Sequence, residues 1–339
     1  MHVISLSVLD QTPIKTGGTA LEAIAETIAL AQVSERLGYK RYWLAEHHGT
    51  EGLAGCAPEI LVDRIASSTS FIRVGSGGVM LNHYSPLKVA ETFALLSTMY
   101  PGRIDLGIGR APGGDKLTIA GMQYGSNIGL EYYPTKIRDL KGLLTRTETA
   151  NQVFSKINLV PLPDIAPEIW LLGSSEESAK IAAADGLPFC FAHFINDVDM
   201  ERVLEVYKDN FSPSDVLSQP LVIVAVGVIC AETQESADHL ALSRKLWRLQ
   251  LAHGRLGPYP TPQEAINYPY TNRERKVADA ASSSAFVGTP QKLKYDLELL
   301  AQAHAIQEFL VVTITHDCRA RLRSYELLAK EFGLSPCNS

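Results

Sequence analysis

Short apolar runs and longer amphipathic stretches alternate along the whole chain. Residues 3–9, 41–44, 72–79, 104–108, 169–172, 189–192, 221–229 and 309–313 are brief, mostly apolar runs, several of them β-branched. They read as continuous runs rather than strict alternations, the pattern of strands buried on both faces. Between and after them, residues 20–37, 58–69, 86–99, 135–144, 176–184, 198–209, 236–251, 290–303 and 319–332 predict helices. In the first of these, Leu21, Ile24, Ile28, Ala31 and Leu37 fall on or near one face, and Gly38 supplies the residue that ends it. Eight strand-then-helix units of this kind predict an α/β protein built as a (β/α)8 TIM barrel. A doubly wound open sheet is the rival. It calls for a glycine-rich turn after the first strand, which Asp10-Gln-Thr-Pro-Ile-Lys-Thr-Gly-Gly18 is not.

Two stretches break the alternation, and both are read as insertions, after strands four and seven. Residues 111–134 are glycine-rich, and residues 254–284 carry Pro258, Pro260, Pro262 and Pro269. Connections this long are uncommon unless they act as lids or are disordered. At the C-terminal face of a barrel, where sites are built, they are expected to cover one pocket. Nothing resembling a linker or a repeat divides residues 1–339, so one domain is expected.

Composition excludes several classes. The chain of 339 residues is 46% hydrophobic and 20% charged, and its net charge is −6. It shows no basic stripe, so no nucleic-acid partner is expected. Its apolar runs are too short to span a bilayer, so no membrane association is expected. Met1-His-Val-Ile-Ser-Leu-Ser lacks the features of a secretion signal. Five scattered cysteines without a C-x-x-C fit free thiols in a reducing compartment, and a cytoplasmic location follows as the expectation.

The candidate chemistry lies at strand ends. Trp43-Leu-Ala-Glu-His-His48 closes the second strand and offers Glu46, His47 and His48 for acid–base work. Adjacent histidines in an extended segment point to opposite sides, so only one of His47 and His48 should face a pocket. Val74-Gly-Ser-Gly-Gly-Val79 closes the third strand, and Gly77 and Gly78 there would let a flat ligand touch the backbone. Arg110 follows the fourth strand and could reach an anion with its planar fork. Gly173, Ser174, Ser175 and Ser178 lie where the fifth strand meets a helix, an arrangement suited to phosphate. Ser174-x-x-Glu177 reads equally well as a capping box, and Glu176 and Glu177 would repel a phosphate unless turned away. No metal site is indicated. There is no H-x-H pair and no H-E-x-x-H here, and His83, His193 and His316 could meet only through the fold.

Taken together, these segments resemble the bacterial luciferase-like monooxygenases, a flavin-dependent family. The likeness runs through Ala45-Glu-His-His48, Val74-Gly-Ser-Gly-Gly-Val-Met-Leu81, Ser85-Pro-Leu-Lys-Val-Ala-Glu91 and Pro101-Gly-Arg-Ile-Asp-Leu-Gly-Ile-Gly-Arg-Ala-Pro112. It continues in Trp170-Leu-Leu-Gly-Ser-Ser-Glu-Glu-Ser-Ala179 and Val287-Gly-Thr-Pro290. The ending Arg321-Leu-Arg-Ser-Tyr-Glu-Leu-Leu-Ala329 fits the single-subunit members. The resemblance implies a TIM barrel that takes reduced FMN as a dissociable substrate, with O2 as oxidant and a small organic molecule as the second substrate. A separate flavin reductase would supply the FMN, and the protein would be a homodimer, with the helices at 58–69 and 86–99 as candidate interface. His47 would occupy the position of the family's active-site base, with Glu46 and His48 beside it. Gly77-Gly78 would lie where some members carry a non-proline cis peptide, and Arg110, Ser174, Ser175 and Ser178 would hold the phosphate. Two departures stand out. Gly109 replaces the reactive cysteine of the luciferase α-subunit, and Met122-Gln123 stands roughly where paired arginines are expected, which weakens the phosphate site or means that another group supplies the charge. A deazaflavin-dependent hydride-transfer enzyme, a non-catalytic flavin-binding protein and a metal-dependent barrel hydrolase are the alternatives.

Overall fold

The computed structural model describes residues 4–111, 114–124, 126, 128–255 and 257–336; Val3, Pro112, Gly113 and Cys337, which enter the sequence reading, lie outside them. In chain order the elements are β1 (Ser5–Asp10), α1 (Ala20–Leu37), β2 (Arg41–Leu44), α2 (Pro58–Ala66), β3 (Arg73–Met80), α3 (Pro86–Met99), β4 (Ile104–Gly109), α4 (Lys116–Gln123), α5 (Tyr133–Thr145), β5 (Glu168–Gly173), α6 (Glu176–Ala184), β6 (Phe189–Ala192), α7 (Met200–Asp209), β7 (Val222–Cys230), α8 (Gln234–Ala252), α9 (Pro262–Asn267), α10 (Asn272–Ser283), β8 (Ala285–Gly288), α11 (Pro290–His304), β9 (Glu308–Val312) and α12 (Cys318–Phe332). β1 to β7 pair in sequence, β9 joins β7 to β1, and every pairing is parallel. The sheet is therefore a closed eight-stranded parallel barrel ringed by helices, the TIM barrel expected from the sequence.

The pleat sorts the apolar strands into two cores. Leu9, Trp43, Trp170, Cys190, Ile223, Ala225, Leu310 and Val312 form one buried cluster inside the barrel, where Trp43 and Trp170 meet edge-to-face with ring centroids 5.6 Å apart. Leu6, Val8, Tyr42, Leu44, Val74, Leu106, Leu171 and Phe189 belong to the larger cluster, between the strands and the helices.

Charged residues at the strand starts fill the N-terminal end of the barrel. The Arg41 guanidinium donates to Asp105 at 2.8 Å and to Glu308 at 2.7 Å, and it lies over the Trp170 ring at 4.8 Å. Arg73 and the indole N–H of Trp43 also donate to Asp105, and Ser7 and Lys40 donate to Glu308. The flanking acids hold the Arg41 guanidinium firmly protonated against the cost of its burial.

Helix starts and stops largely match the sequence. Thr19 and Glu22 form a reciprocal capping box at the start of α1, and Gly38 ends that helix at φ 87°. Two helices are shorter than expected: α7 starts at Met200 rather than residue 198, and α2 loses its last turn. α2 stops at Ala66 rather than residue 69, because the Arg103 guanidinium takes the carbonyls of Ala66, Thr69 and Ile72 and the Thr69 hydroxyl. One strand was not anticipated. β8 pairs with Gly227–Cys230 of β7, of which only Val228–Cys230 run on past the pairing with β9, since Gly227 still pairs with Val312. The two long insertions contain helices of their own: α4 in the first, and α9 and α10 in the second. No helix among the described residues is long and apolar enough to cross a membrane.

Candidate active site

A cleft of about 780 Å³ opens at the C-terminal end of the barrel, and every expected cofactor-binding residue lines it. Gly77, Gly78, Arg110, Gly173, Ser174, Ser175 and Ser178 form its walls together with Leu9, Gln11 and Ala225. The insertion after β4 contributes Leu130 and Glu131, and Phe194 and Ile195 after β6 close another side.

β2 runs straight into the histidine pair, and the alternation expected of an extended segment holds. His47 faces the cleft, anchored by its backbone N–H to the Gly55 carbonyl at 2.8 Å. Its Nδ1 is buried without a hydrogen-bond partner. Burial, helped by the nearby His48, pushes the His47 imidazolium down to a pKa of about 4, so the ring is uncharged at neutral pH. His48 turns the other way. Its Nε2 lies 2.7 Å from Glu46 Oε1, which also accepts from the Tyr84 hydroxyl at 2.6 Å. Glu46 Oε2 accepts from the Met80 backbone N–H at 2.9 Å. Glu46 therefore borders the cleft, but its oxygens already serve three donors or potential donors.

The Gly77-Gly78 peptide is cis. Neither glycine has room for a side chain. A Cβ on Gly77 would lie 2.5 Å from Leu9 Cδ1, and one on Gly78 would lie 2.8 Å from the Gly107 carbonyl. The bare backbone thus forms a flat wall of the cleft.

At the opposite end, the turn from β5 into α6 departs from the expected capping box by one residue. Ser175, not Ser174, is the N-cap, with its hydroxyl accepting from the Ser178 N–H at 3.4 Å. The Ser174 carbonyl accepts from Asn196 instead. Gly173 allows this turn, since a Cβ there would collide with Ser178. The two glutamates divide. Glu176 turns away to Arg202 at 2.7 Å, whereas Glu177 pairs with Arg110 at 2.6 Å. Arg110 is the one Lys or Arg lining the cleft among the described residues. Gly109 beside it leaves open space where a side chain would stand. Met122 and Gln123 do not line the cleft, and Lys136 is committed to three backbone carbonyls, those of Leu81, Asn82 and Tyr84.

Behind the cleft lies a smaller chamber of about 220 Å³, sharing Gln11, His47, Phe194 and Ile195 as walls. Tyr259 from the insertion after β7 lines it, so both insertions border connected space. Arg244, Trp247 and Arg248 of α8 line it as well. Sequence reading missed these residues, although two arginines four apart on one helix repel each other and were a visible signal. His83, His193 and His316 are not brought together. No group of three or more His, Cys, Asp or Glu among the described residues is placed to hold a metal ion.

Comparison with known proteins agrees with this architecture. The family model for luciferase-like monooxygenase matches residues 1–328. Bacillus subtilis (strain 168) has an uncharacterized protein, YceB, 41% identical over 330 residues, which are 97% of this chain and 100% of YceB. A luciferase-like monooxygenase of Escherichia coli (strain K12) is 36% identical over 96% of each chain. The crystal structure of apo-MsnO8 superposes with a TM-score of 0.89 at 36% identity, covering 99% of both chains. More distant structures share the fold. The oxygenating constituent of 3,6-diketocamphane monooxygenase in complex with FMN gives a TM-score of 0.71 at 20% identity and 99% of both chains. An F420-dependent secondary alcohol dehydrogenase gives 0.68 at 14%, covering 97% of this chain and 99% of its own. The chain belongs to the luciferase-like monooxygenase family and is an enzyme.

Proposed function

We propose that this enzyme binds reduced FMN in the 780 Å³ cleft and uses it with O2 to oxygenate a small organic molecule, the FMN arriving from a separate reductase. The observation that carries this reading is that three unlike features share one cleft. A glycine wall admits a flat ring at Gly77 and Gly78, an uncharged His47 sits at its inner side, and Arg110 stands with the Ser175 and Ser178 hydroxyls at the far end. The cleft walls suit an aromatic ligand with an anionic tail. Reduced FMN supplies the electrons that let O2 be split between substrate and water.

The residues then take distinct parts. Arg110 and the first turn of α6 hold the phosphate, with Glu177 swinging off Arg110 to make way; its side chain is 66% exposed. Gly77 and Gly78 set the plane of the ring. His47 accepts a proton at a ring nitrogen, a role that its low pKa leaves open at neutral pH. Glu46 and Tyr84 hold His48 in place behind the reacting groups. Leu130 and the Phe194–Ile195 segment exclude water.

Binding titrations test the reading. Arg110→Ala should weaken FMN by about 10- to 150-fold, the worth of a charge-assisted phosphate contact. It should leave riboflavin unchanged. Equal loss for both ligands would mean that Arg110 shapes the cleft and does not hold phosphate. Tighter binding of coenzyme F420 than of FMN would transfer the enzyme to the deazaflavin reading. Rapid NADPH oxidation by the protein alone would exclude a separate reductase. We also infer a homodimer formed through α2 and α3, on which Ile60, Leu95 and Met99 stand exposed; a monomer by light scattering at micromolar concentration would refute it.

A further inference from the structure

The chamber behind the cleft is apolar on most sides. Leu53, Ile229, Trp247, Val312 and Ile314 are among its walls. Into this space α8 presents Arg244 and Arg248, one helical turn apart. No carboxylate lines the chamber, and no ion pair joins either arginine to a described residue. Asp197 acts on Arg248 only from beyond ion-pair distance. Arg244 donates one N–H to the Ser284 hydroxyl at 3.1 Å, while its Nε is buried with no partner at all. Its guanidinium lies against Gly227 of β7, 3.5 Å from where a Cβ would stand. Burial and the charge of Arg248 together push Arg244 down to a pKa of about 10, which still leaves it cationic at neutral pH.

Buried charges in proteins are ordinarily paired. Two adjacent cations that make no ion pair among the described residues, with Asp197 acting on Arg248 only from a distance, form a site whose close anion comes from outside the chain. The chamber also shares His47 with the cofactor cleft, which places a molecule lodged there beside the reacting groups. We propose that the substrate of this enzyme is a small organic acid whose anionic oxygens, of a carboxylate or a sulfonate, are held by Arg244 and Arg248 while its apolar body points toward His47. The inference rests on the flavin reading only for the word substrate; the anion site itself is a property of this chain.

The test needs no turnover. Hexanoate, hexane-1-sulfonate, 1-hexanol and hexylamine are titrated into the flavin-free protein, following intrinsic tryptophan fluorescence, to which Trp247 of the chamber wall contributes, and the melting temperature. Hexanoate and hexane-1-sulfonate should bind, the stronger of the two identifying the headgroup, while the alcohol and the amine should bind at least about tenfold more weakly, as expected for loss of a charge-assisted contact. Arg248→Gln should weaken both acids by about 10- to 100-fold and leave 1-hexanol where it was, and Arg248→Lys should recover part of the loss. Arg248 is the variant of choice because it is less enclosed than Arg244, and circular dichroism on each variant establishes that it folds. Equal binding of hexanol and hexanoate, no binding of either acid, or acid binding indifferent to Arg248→Gln would each overturn the proposal. FMN titrations on the same samples separate the two readings. Charge-selective binding of the acids without FMN binding would sink the flavin reading and leave the anion site standing, and the reverse would do the opposite.

Discussion

The N-terminal end of the barrel closes its charges among themselves, whereas the C-terminal end, beside closed groups such as Glu46 and Asp10, leaves some polar groups open. At the N-terminal end, Arg41, Arg73, Asp105 and Glu308 satisfy one another, with Trp43, Ser7 and Lys40 completing the set. At the C-terminal end, among the described residues, His47 Nδ1 and Arg244 Nε are buried with no partner, and Arg110 has only the exposed Glu177. A closed network costs desolvation and gives it back in contacts within the chain. An open one keeps its donors and acceptors for something that arrives later. The same barrel thus shows which charges serve the fold and which wait for ligands.

The sharpest way to break this comparison is at His47. With a reductase and a competent substrate present, His47→Ala should lower product formation by about 100- to 10,000-fold while FMN still binds, the usual range for a proton-transfer group. His48→Ala should lower it less, because His48 faces Glu46 and Tyr84. The opposite ranking would mean that the open end works through the other imidazole.

Asp105→Ala tests the closed end. It leaves the Trp43 indole without its acceptor and takes the buried carboxylate from Arg41 and Arg73, which keep Glu168 and, for Arg41, Glu308; it should cost about 3–5 kcal/mol in urea unfolding, the range for breaking a buried pair. A loss under about 1 kcal/mol would show that water takes over the role of the carboxylate and that the network is not a plug.

Acid stability comes next. The unfolded chain protonates His47 near its ordinary value, whereas the folded chain resists until about pH 4. Stability from this site is therefore complete above about pH 6.5 and falls as the pH drops toward 4, by up to about 3 kcal/mol. His193, also held low by burial, adds in the same direction. Thermal melts between pH 7 and pH 4 should be flatter for His47→Gln than for the wild type; parallel curves would show that water reaches the ring.

The smallest effect belongs to Glu177. Removing this exposed partner by Glu177→Gln should leave stability nearly unchanged and tighten FMN by at most about fivefold, since an exposed pair is worth ~1 kcal/mol or less. Weaker FMN binding in that variant would mean that Glu177 positions Arg110 rather than competing for it.

What the sequence disclosed, and what it hid, follows the same division. The barrel strands are long enough and apolar enough to be read directly, and the glycines and histidines at their ends pointed to the cleft. β8 escaped notice because Ala285-Phe-Val-Gly288 has no barrel neighbour except the end of β7. The closed network was hidden because Arg41, Asp105 and Glu308 are isolated letters at strand starts, and only the pairing of β1 with β9 brings Ser7 and Glu308 together. Ser174-x-x-Glu177 satisfied the capping pattern in letters, yet the cap is Ser175, whose hydroxyl accepts from the Ser178 N–H, while the helix starts at Glu176 as read from the sequence. Arg244 and Arg248 went unread because only the folded chain shows that their face of α8 lines a chamber.

The pairing of β1 with β9 also bears on how the chain is made. Ser5–Val8 lies in register with Glu308–Val311, so the first strand keeps one bare edge until some 300 further residues have been added. At about 5–20 residues per second, that is roughly 15–60 s of ribosome time. During that interval the open edge of the strand is exposed to any passing partner, and Arg41 is without one of its three carboxylates. Helpers that shield nascent chains would act on this protein late, and a ribosome stalled before residue 308 would hold a barrel that is nearly complete yet still sticky along a single seam.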